Sequence, residues 1–376
     1  MKIVTCGCIL ILLASGLSWG QWQTGRPWWY RLEEGKLLLR SGAYGNALIA
    51  FEDARRGRHA QFTRMEEDLI RLLSTPEARL LGDSLYFIEQ YIAFRNETAA
   101  AAALAYLFHR VPRTAVGGSA TRALEEIDRL KGFPEAEFWM GEAFMAEGEL
   151  LLALRQYERA WEYRALLETP GFDTEILYRM TDIHRMRQDY PEMERLANEI
   201  ITGAGPSGLP RDDLWTMVHL RAAMARLLET EGAYRFLELY RHNNMVTERA
   251  HRLLGFFLHA TSRDITAVDH LMFAFLIQNT VLIDYVIRRQ FDFAFTTLDD
   301  LMERVLSRPA LVDFMEETEY FRTAFYFSAA LYATGRTVPA MQLWTFLAQN
   351  AHAGVWGERA RRSPAPYLEA AVGLLP

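Results

Sequence analysis

WYRLEEGKLLLRSGAYGNALIAFEDAR, residues Trp29 to Arg55, decides the fold. Its informative positions are Gly35, Leu38, Gly42, Tyr44, Ala47, Phe51 and Ala54. A second stretch, Phe138 to Ala160, reads FWMGEAFMAEGELLLALRQYERA and places Gly141, Phe144, Gly148, Leu150, Ala153, Tyr157 and Ala160 at the same intervals: 3, 4, 2, 3, 4 and 3. This spacing describes two helices joined by a tight turn. The first Gly lets the helices approach closely, and the second ends the first helix, where a left-handed residue is needed. The Ala falls at the crossing point, and the aromatic one turn later fills the groove.

The pattern resembles the tetratricopeptide repeat, in which a small residue in the first helix precedes Ala-x3-Phe in the second. Looser copies are Phe325 to Leu347 (Ser328, Leu331, Gly335, Thr337, Ala340, Trp344, Leu347), Leu282 to Leu301 (Tyr285, Arg289, Phe291, Ala294, Leu298, Leu301) and Ala225 to Leu237 (Leu228, Gly232, Tyr234). Tyr86–His109 and Thr174–Ile201 fit only loosely. The expected fold is all-α: an α-solenoid of antiparallel helix pairs, irregular in the middle because the anchors lie further apart than the ~34 residues of the family's unit. Nothing reads as alternating strand residues with hairpin turns.

Outward from this array, the first twenty residues differ. Lys2, an apolar run from Ile3 to Leu13, and Ser18-Trp19-Gly20 before Gln21 spell a secretory signal peptide cut after Gly20. The expected location is therefore the bacterial periplasm. Both cysteines, Cys6 and Cys8, fall inside that segment, so the remainder offers no disulfide and no thiol chemistry. The expected organisation is signal 1–20, a first helical array 21–202, a loop 203–211 and a second array 212–376. Val116–Ser119 is a further linker candidate, Asp212 a helix cap, and Tyr367–Leu375 a terminal cap. Pro76, Pro134, Pro191, Pro210 and Pro339 mark helix starts. The apolar stretches Leu271–Ile287 and Phe321–Leu331 are interrupted, by Gln278, Asn279 and Asp284 and by Arg322, so no uncharged apolar run of membrane-spanning length is expected.

The 376 residues are 50% hydrophobic and 24% charged, which is globular, and the net charge of −7 argues against nucleic acid as a partner. Gly203-x-Gly205-x-x-Gly208 follows a charged helix and contains Pro206, so it lacks the βαβ setting of a dinucleotide site. His242, His251 and His259 have no metal-ligand spacing, and adjacent acids such as Glu66-Glu67 and Asp299-Asp300 diverge by about 100° on a helix. No catalytic residue, metal or cofactor is expected. The resemblance implies a concave groove, lined by the first helix of each pair, that holds a protein or peptide partner in the cell envelope. Candidate groove residues are Trp29, Lys36, Arg40, Phe138 and Glu142. Trp28 and Trp29 are expected to pack the first helix pair; the alternative is an exposed cluster with Trp22 that docks a partner or, peripherally, a membrane interface. The alternative expectation is an accessory part of a periplasmic transport system, binding a small hydrophobic ligand or a solute-binding protein, with Phe273–Ile287 as the apolar wall.

Overall fold

The computed structural model describes residues 27–73 (for 68–73 the backbone alone), 127–203, 222–223, 225–290, 293–294 and 297–363. Among these the regular structure is entirely helical, with no strand. The chain divides into two compact units, one ending at Phe172 and one beginning at Asp173, and not at the 203–211 loop. The signal segment, Val116–Ser119, Asp212, Pro76, Pro210 and Tyr367–Leu375 lie outside the described residues.

The first unit contains α1 (Trp28–Arg40), α2 (Tyr44–Leu73), α3 (Pro134–Glu147) and α4 (Leu150–Glu162). α1 and α2 run antiparallel: Gly35 lies against Phe51, while Trp28 at the start of α1 meets Gly57 and donates from Nε1 to Gln61 Oε1 at 3.0 Å. A Cβ added to Gly35 would lie 2.4 Å from the Phe51 ring, and one added to Gly141 would lie 2.5 Å from the Tyr157 ring. Those glycines let an aromatic ring of the second helix rest on the backbone of the first. Ala47 and Ala153 are fully buried, as the crossing-point reading requires. Leu32, Ala47, Phe51, Ala54, Phe133, Ala136 and Met140 form one core that joins α1, α2 and α3.

The second unit contains α5 (Phe172–Met186, whose first residue still belongs to the first unit), α6 (Tyr190–Thr202), α7 (Gly232–Leu239), α8 (Met245–Ala260), α9 (Asp264–Ile287), α10 (Leu298–Val305), α11 (Pro309–Glu317), α12 (Tyr320–Ala333), α13 (Thr337–Gln349) and α14 (Gly354–Arg362). α6 packs on α8, α8 and α9 on each other, and both of these on α12; α12 then packs on α13, and α13 on α14. α7 lies on α9 and α13, with Ala233 N–H donating to Gln342 Oε1 at 3.0 Å.

One turn recurs five times. Gly42, Gly148, Gln188, Ser262 and Gly335 all have left-handed φ, between 59° and 82°. After each, the next residue's N–H reaches back five residues: Ala43 to Leu38 O, Glu149 to Phe144 O, Asp189 to His184 O, Arg263 to Leu258 O and Arg336 to Leu331 O, at 2.8–3.0 Å. This closure satisfies carbonyls that the helix end leaves free. Around Ser262 the spacing of the opening stretch returns in full: Gly255, Leu258, Ser262, Asp264, Ala267, Leu271 and Ala274. A Cβ on Gly255 would meet Leu271 Cγ at 2.5 Å. Around Gln188 it returns as Thr181, His184, Gln188, Tyr190, Met193, Ala197 and Ile200.

Two of the looser copies are corrected. Leu282–Leu301 is not a hairpin: α9 continues to Ile287 and the next helix starts only at Leu298, capped by Thr297 and Asp300. At Ala225–Leu237, Gly232 is left-handed, but α7 ends after eight residues and makes no matching turn closure. The anchors Gln188, Ser262 and Gly335 are thus each separated by roughly twice a ~34-residue unit, with α7 in the first interval and α10 and α11 in the second.

A left-handed conformation costs a residue with a Cβ about 1–2 kcal/mol, part of which Gly returns through its freer unfolded chain. Ser262→Gly is therefore expected to stabilise the protein by about 0.5–1 kcal/mol. A urea titration checks it; a lower midpoint would show that Ser262 is held by its side chain rather than its backbone.

Candidate functional site

The first helices α5, α8 and α12, with the start of α6, enclose a cavity of about 380 Å³ in the second unit. Asp182 and Arg185 come from α5, and Tyr190 and Met193 from α6. From α8 come Arg249, Arg252, Leu253, Phe256, Phe257 and Ala260; Glu319 precedes α12, which adds Arg322 and Tyr326. On α8, Arg249, Arg252, Leu253, Phe256 and Ala260 recur at helical spacing and form one stripe.

The local order has clear causes. Tyr178 on α5 donates its hydroxyl to Val246 O at 2.6 Å and accepts from Ala250 N–H at 3.1 Å, which fixes α5 against the first turns of α8. Burial pushes the Tyr178 phenol well above its usual range, so it stays a neutral donor. Arg249 stacks over the Tyr178 ring at 4.8 Å and donates to Asp182, which Arg185 also approaches at 3.8 Å. Arg252 pairs with Glu319 and, through Nε, with Glu248 Oε1 at 3.0 Å. Arg322 donates to Glu319 at 2.7 Å and lies 4.5 Å from the Phe256 ring. Tyr190 stacks on Phe257 at 5.1 Å, and Phe256 meets Tyr326 edge-on at 5.1 Å.

Beneath the cavity α9 supplies support. Gln278 is fully buried and donates to Glu248 Oε1 at 2.6 Å and to Thr318 O at 2.8 Å. Asn279, also buried, donates to Phe275 O and accepts from Tyr320 Oη at 2.9 Å. The amide nitrogens of Gln278 and Asn279 are thus engaged by the protein itself, while Gln278 Oε1 is buried without a hydrogen-bond partner. α9 is long and apolar enough to cross a membrane, yet most of its apolar window is buried in this packing, as expected of a core helix.

Glu248 is buried, and desolvation is the largest influence on it, raising its pKa above the ordinary 4.5 against the opposing pull of Arg252. A raised carboxyl pKa favours the fold in the protonated form. That contribution is complete below 4.5 and is lost as pH rises through the folded value. The stability of Glu248→Gln relative to wild type is therefore expected to grow from about pH 4 to about pH 7. Parallel urea titrations of the two proteins check this, and a constant difference would contradict it.

The residues expected in the groove lie in the first unit and do not form one site. Trp29 is 57% exposed and meets Tyr30 edge-on. Trp28, by contrast, packs against Phe133. Lys36 pairs with Glu33 and lies over the Trp139 ring, and Arg40 is exposed. Glu142 accepts from Tyr157 Oη at 2.5 Å. Phe138 is a core residue, 2% exposed, packed on Trp139, Tyr157 and Phe172, because its position faces the helix partner. Among the described residues, no three His, Cys, Asp or Glu side chains are grouped to hold a metal ion.

Against known proteins, no family model matches the chain. A Treponema pallidum (strain Nichols) protein, described only as uncharacterized, is 25% identical over 336 residues, covering 89% of each chain. A Borreliella burgdorferi (strain ATCC 35210) protein with the same description is 21% identical over 226 residues, which is 56% of this chain and 69% of its own. Both relatives come from spirochaetes. The first similarity runs through both units, the cavity-bearing one included.

Proposed function

We propose that this is an exported, non-catalytic interaction protein of the tetratricopeptide type, acting in the bacterial cell envelope. In this reading it holds a protein or peptide partner in the groove of α5, α8 and α12. The observation that carries the reading is that three successive first helices contribute side chains to one cavity. Hairpins stacked in the order α5–α6, α8–α9, α12–α13 leave their first helices on a shared concave side, where repeat proteins of this kind present binding surfaces. The reading as a solenoid rests on the recurring turn and on the packing of α6 on α8 and α9 on α12. Export rests on the Lys2 to Gly20 pattern.

Recovery of the tagged protein from envelope extracts tests this directly. The expected result is one partner in fixed ratio with wild type, lost from an Arg249→Gln, Arg322→Gln variant, which leaves Asp182 and Glu319 each one arginine and still unfolds cooperatively. A partner retained equally by both proteins would move the site elsewhere. Absence of the protein from the envelope fraction would remove the location.

A further inference from the structure

The cavity carries two cationic points. Arg185 and Arg249 share Asp182, and Arg252 and Arg322 share Glu319. Four guanidinium groups thus line it against two carboxylates, a local surplus of positive charge in a chain whose net charge is −7. The third acid in contact, Glu248, lies buried behind Arg252. Each existing carboxylate holds its pair of arginines in place while leaving N–H donors to spare, since a guanidinium has five. Phe256, Phe257 and Tyr190 add aromatic surface to the same space.

We infer that the segment recognised here is acidic: a peptide presenting side-chain carboxylates to the Arg185–Arg249 and Arg252–Arg322 pairs, with an aromatic or large aliphatic side chain on the Phe256–Phe257 surface. This rests on the groove being the partner site. A guanidinium fork matches a carboxylate with two parallel hydrogen bonds, and in a recessed site that pairing is less screened than on an open surface. The recess also argues against an anionic membrane as the occupant. The arginine side chains are only 12–41% exposed and line a concave wall, where a flat bilayer does not reach them. Blocking both ends of a test peptide leaves the predicted contacts intact, because they involve side chains alone.

Fluorescence anisotropy with the full-length mature protein decides the matter. The probe is a labelled, acetylated and amidated peptide of alternating Glu and Phe, compared with its Gln–Phe twin. The Glu peptide is expected to bind at least about tenfold more tightly, and the difference should shrink with salt, less steeply than for ions on an open surface. The preference should vanish in Arg249→Gln, Arg322→Gln and persist in part in Arg249→Lys, Arg322→Lys, which keeps the charge without the fork. Equal binding of the twins, or binding of neither at about 1 mM, overturns the inference. So does arginine-dependent capture of phosphatidylglycerol vesicles without peptide binding. If an envelope partner is recovered but the Glu peptide fails, the acidic preference falls and the interaction reading stands. If the peptide binds but no partner is recovered, the reverse holds.

Discussion

Gly255→Val is expected to destabilise the second unit by about 3 kcal/mol, at the upper end of overpacking penalties. The first added carbon alone would lie 2.5 Å from Leu271 Cγ and 3.3 Å from the Leu271 backbone nitrogen. The nearest obstacle is not the free tip of a flexible chain but the branch point of a side chain that is itself fully buried. The helices must therefore separate, and separation disturbs every pairing across the interface. Affected contacts include Gln278 with Glu248, which needs α8 and α9 at their present distance, and Thr280 with the N–H of His242, just before α8. The Leu271→Ala variant alone opens a cavity and is expected to lose about 2–4 kcal/mol. Combined with Gly255→Val it should lose less than the sum, since the new methyls enter the vacated space. A double-mutant cycle by urea denaturation reads this coupling. Additive losses would mean that Gly255 and Leu271 do not meet.

Phe275→Ala is expected to have an effect at least as large, about 3–5 kcal/mol. Phe275 is fully buried on α9 and meets Tyr320 and Phe327 of α12 at ring separations of 5.6 and 5.7 Å. It therefore joins one hairpin to the next instead of closing a hairpin on itself. Its truncation should loosen α12 to α14 before it loosens α8 and α9, because stacked units open from their interfaces. Hydrogen exchange should show amide protection falling first across 320–362. Uniform loss of protection across 245–362 would indicate a single cooperative core without hairpin boundaries.

Much of the fold is legible in the sequence, for a reason that also explains where legibility stops. Gly35 and Gly141 can be read because steric exclusion leaves no alternative: an aromatic ring occupies the place of their side chain. One hairpin goes unread and another, Thr174–Ile201, reads only as a loose fit, because their turn residues are Ser262 and Gln188, which accept a left-handed backbone at a cost of about 1–2 kcal/mol. A pattern that requires Gly at the turn misses them, although Gly255, Ala267 and Ala274 supply the small residues. The match at Leu282–Leu301 has the intervals without the closure: α9 ends at Ile287, but Arg289 is not left-handed and the next helix starts only at Leu298.

Some register positions of the residues expected in the first unit recur around the cavity of the second. Counted from the small residue of the first helix, Trp29 corresponds to Arg249 and Arg322, Phe138 to Arg252, Lys36 and Glu142 to Asp182 and Phe256, and Arg40 to Ala260. Those counterparts line the cavity, whereas Glu175, Tyr178, Met186, Phe325, Ala329 and Ala333, at the same offsets on α5 and α12, do not. Which hairpins converge is a matter of packing order, and α7, α10 and α11 lengthen the chain between anchors without altering the register. The stripe Arg249, Arg252, Phe256 on α8 was the available signal; its meaning depended on seeing α5 and α12 beside it.

The central claim, that the first helices of the second unit form the partner-binding face, is best tested by site-specific photocrosslinking in living cells. A crosslinking residue is placed at Phe257 in the cavity or at Val338, exposed on the second helix α13. The account predicts a discrete adduct from position 257 and none from position 338. An adduct from 338 with none from 257 would contradict it.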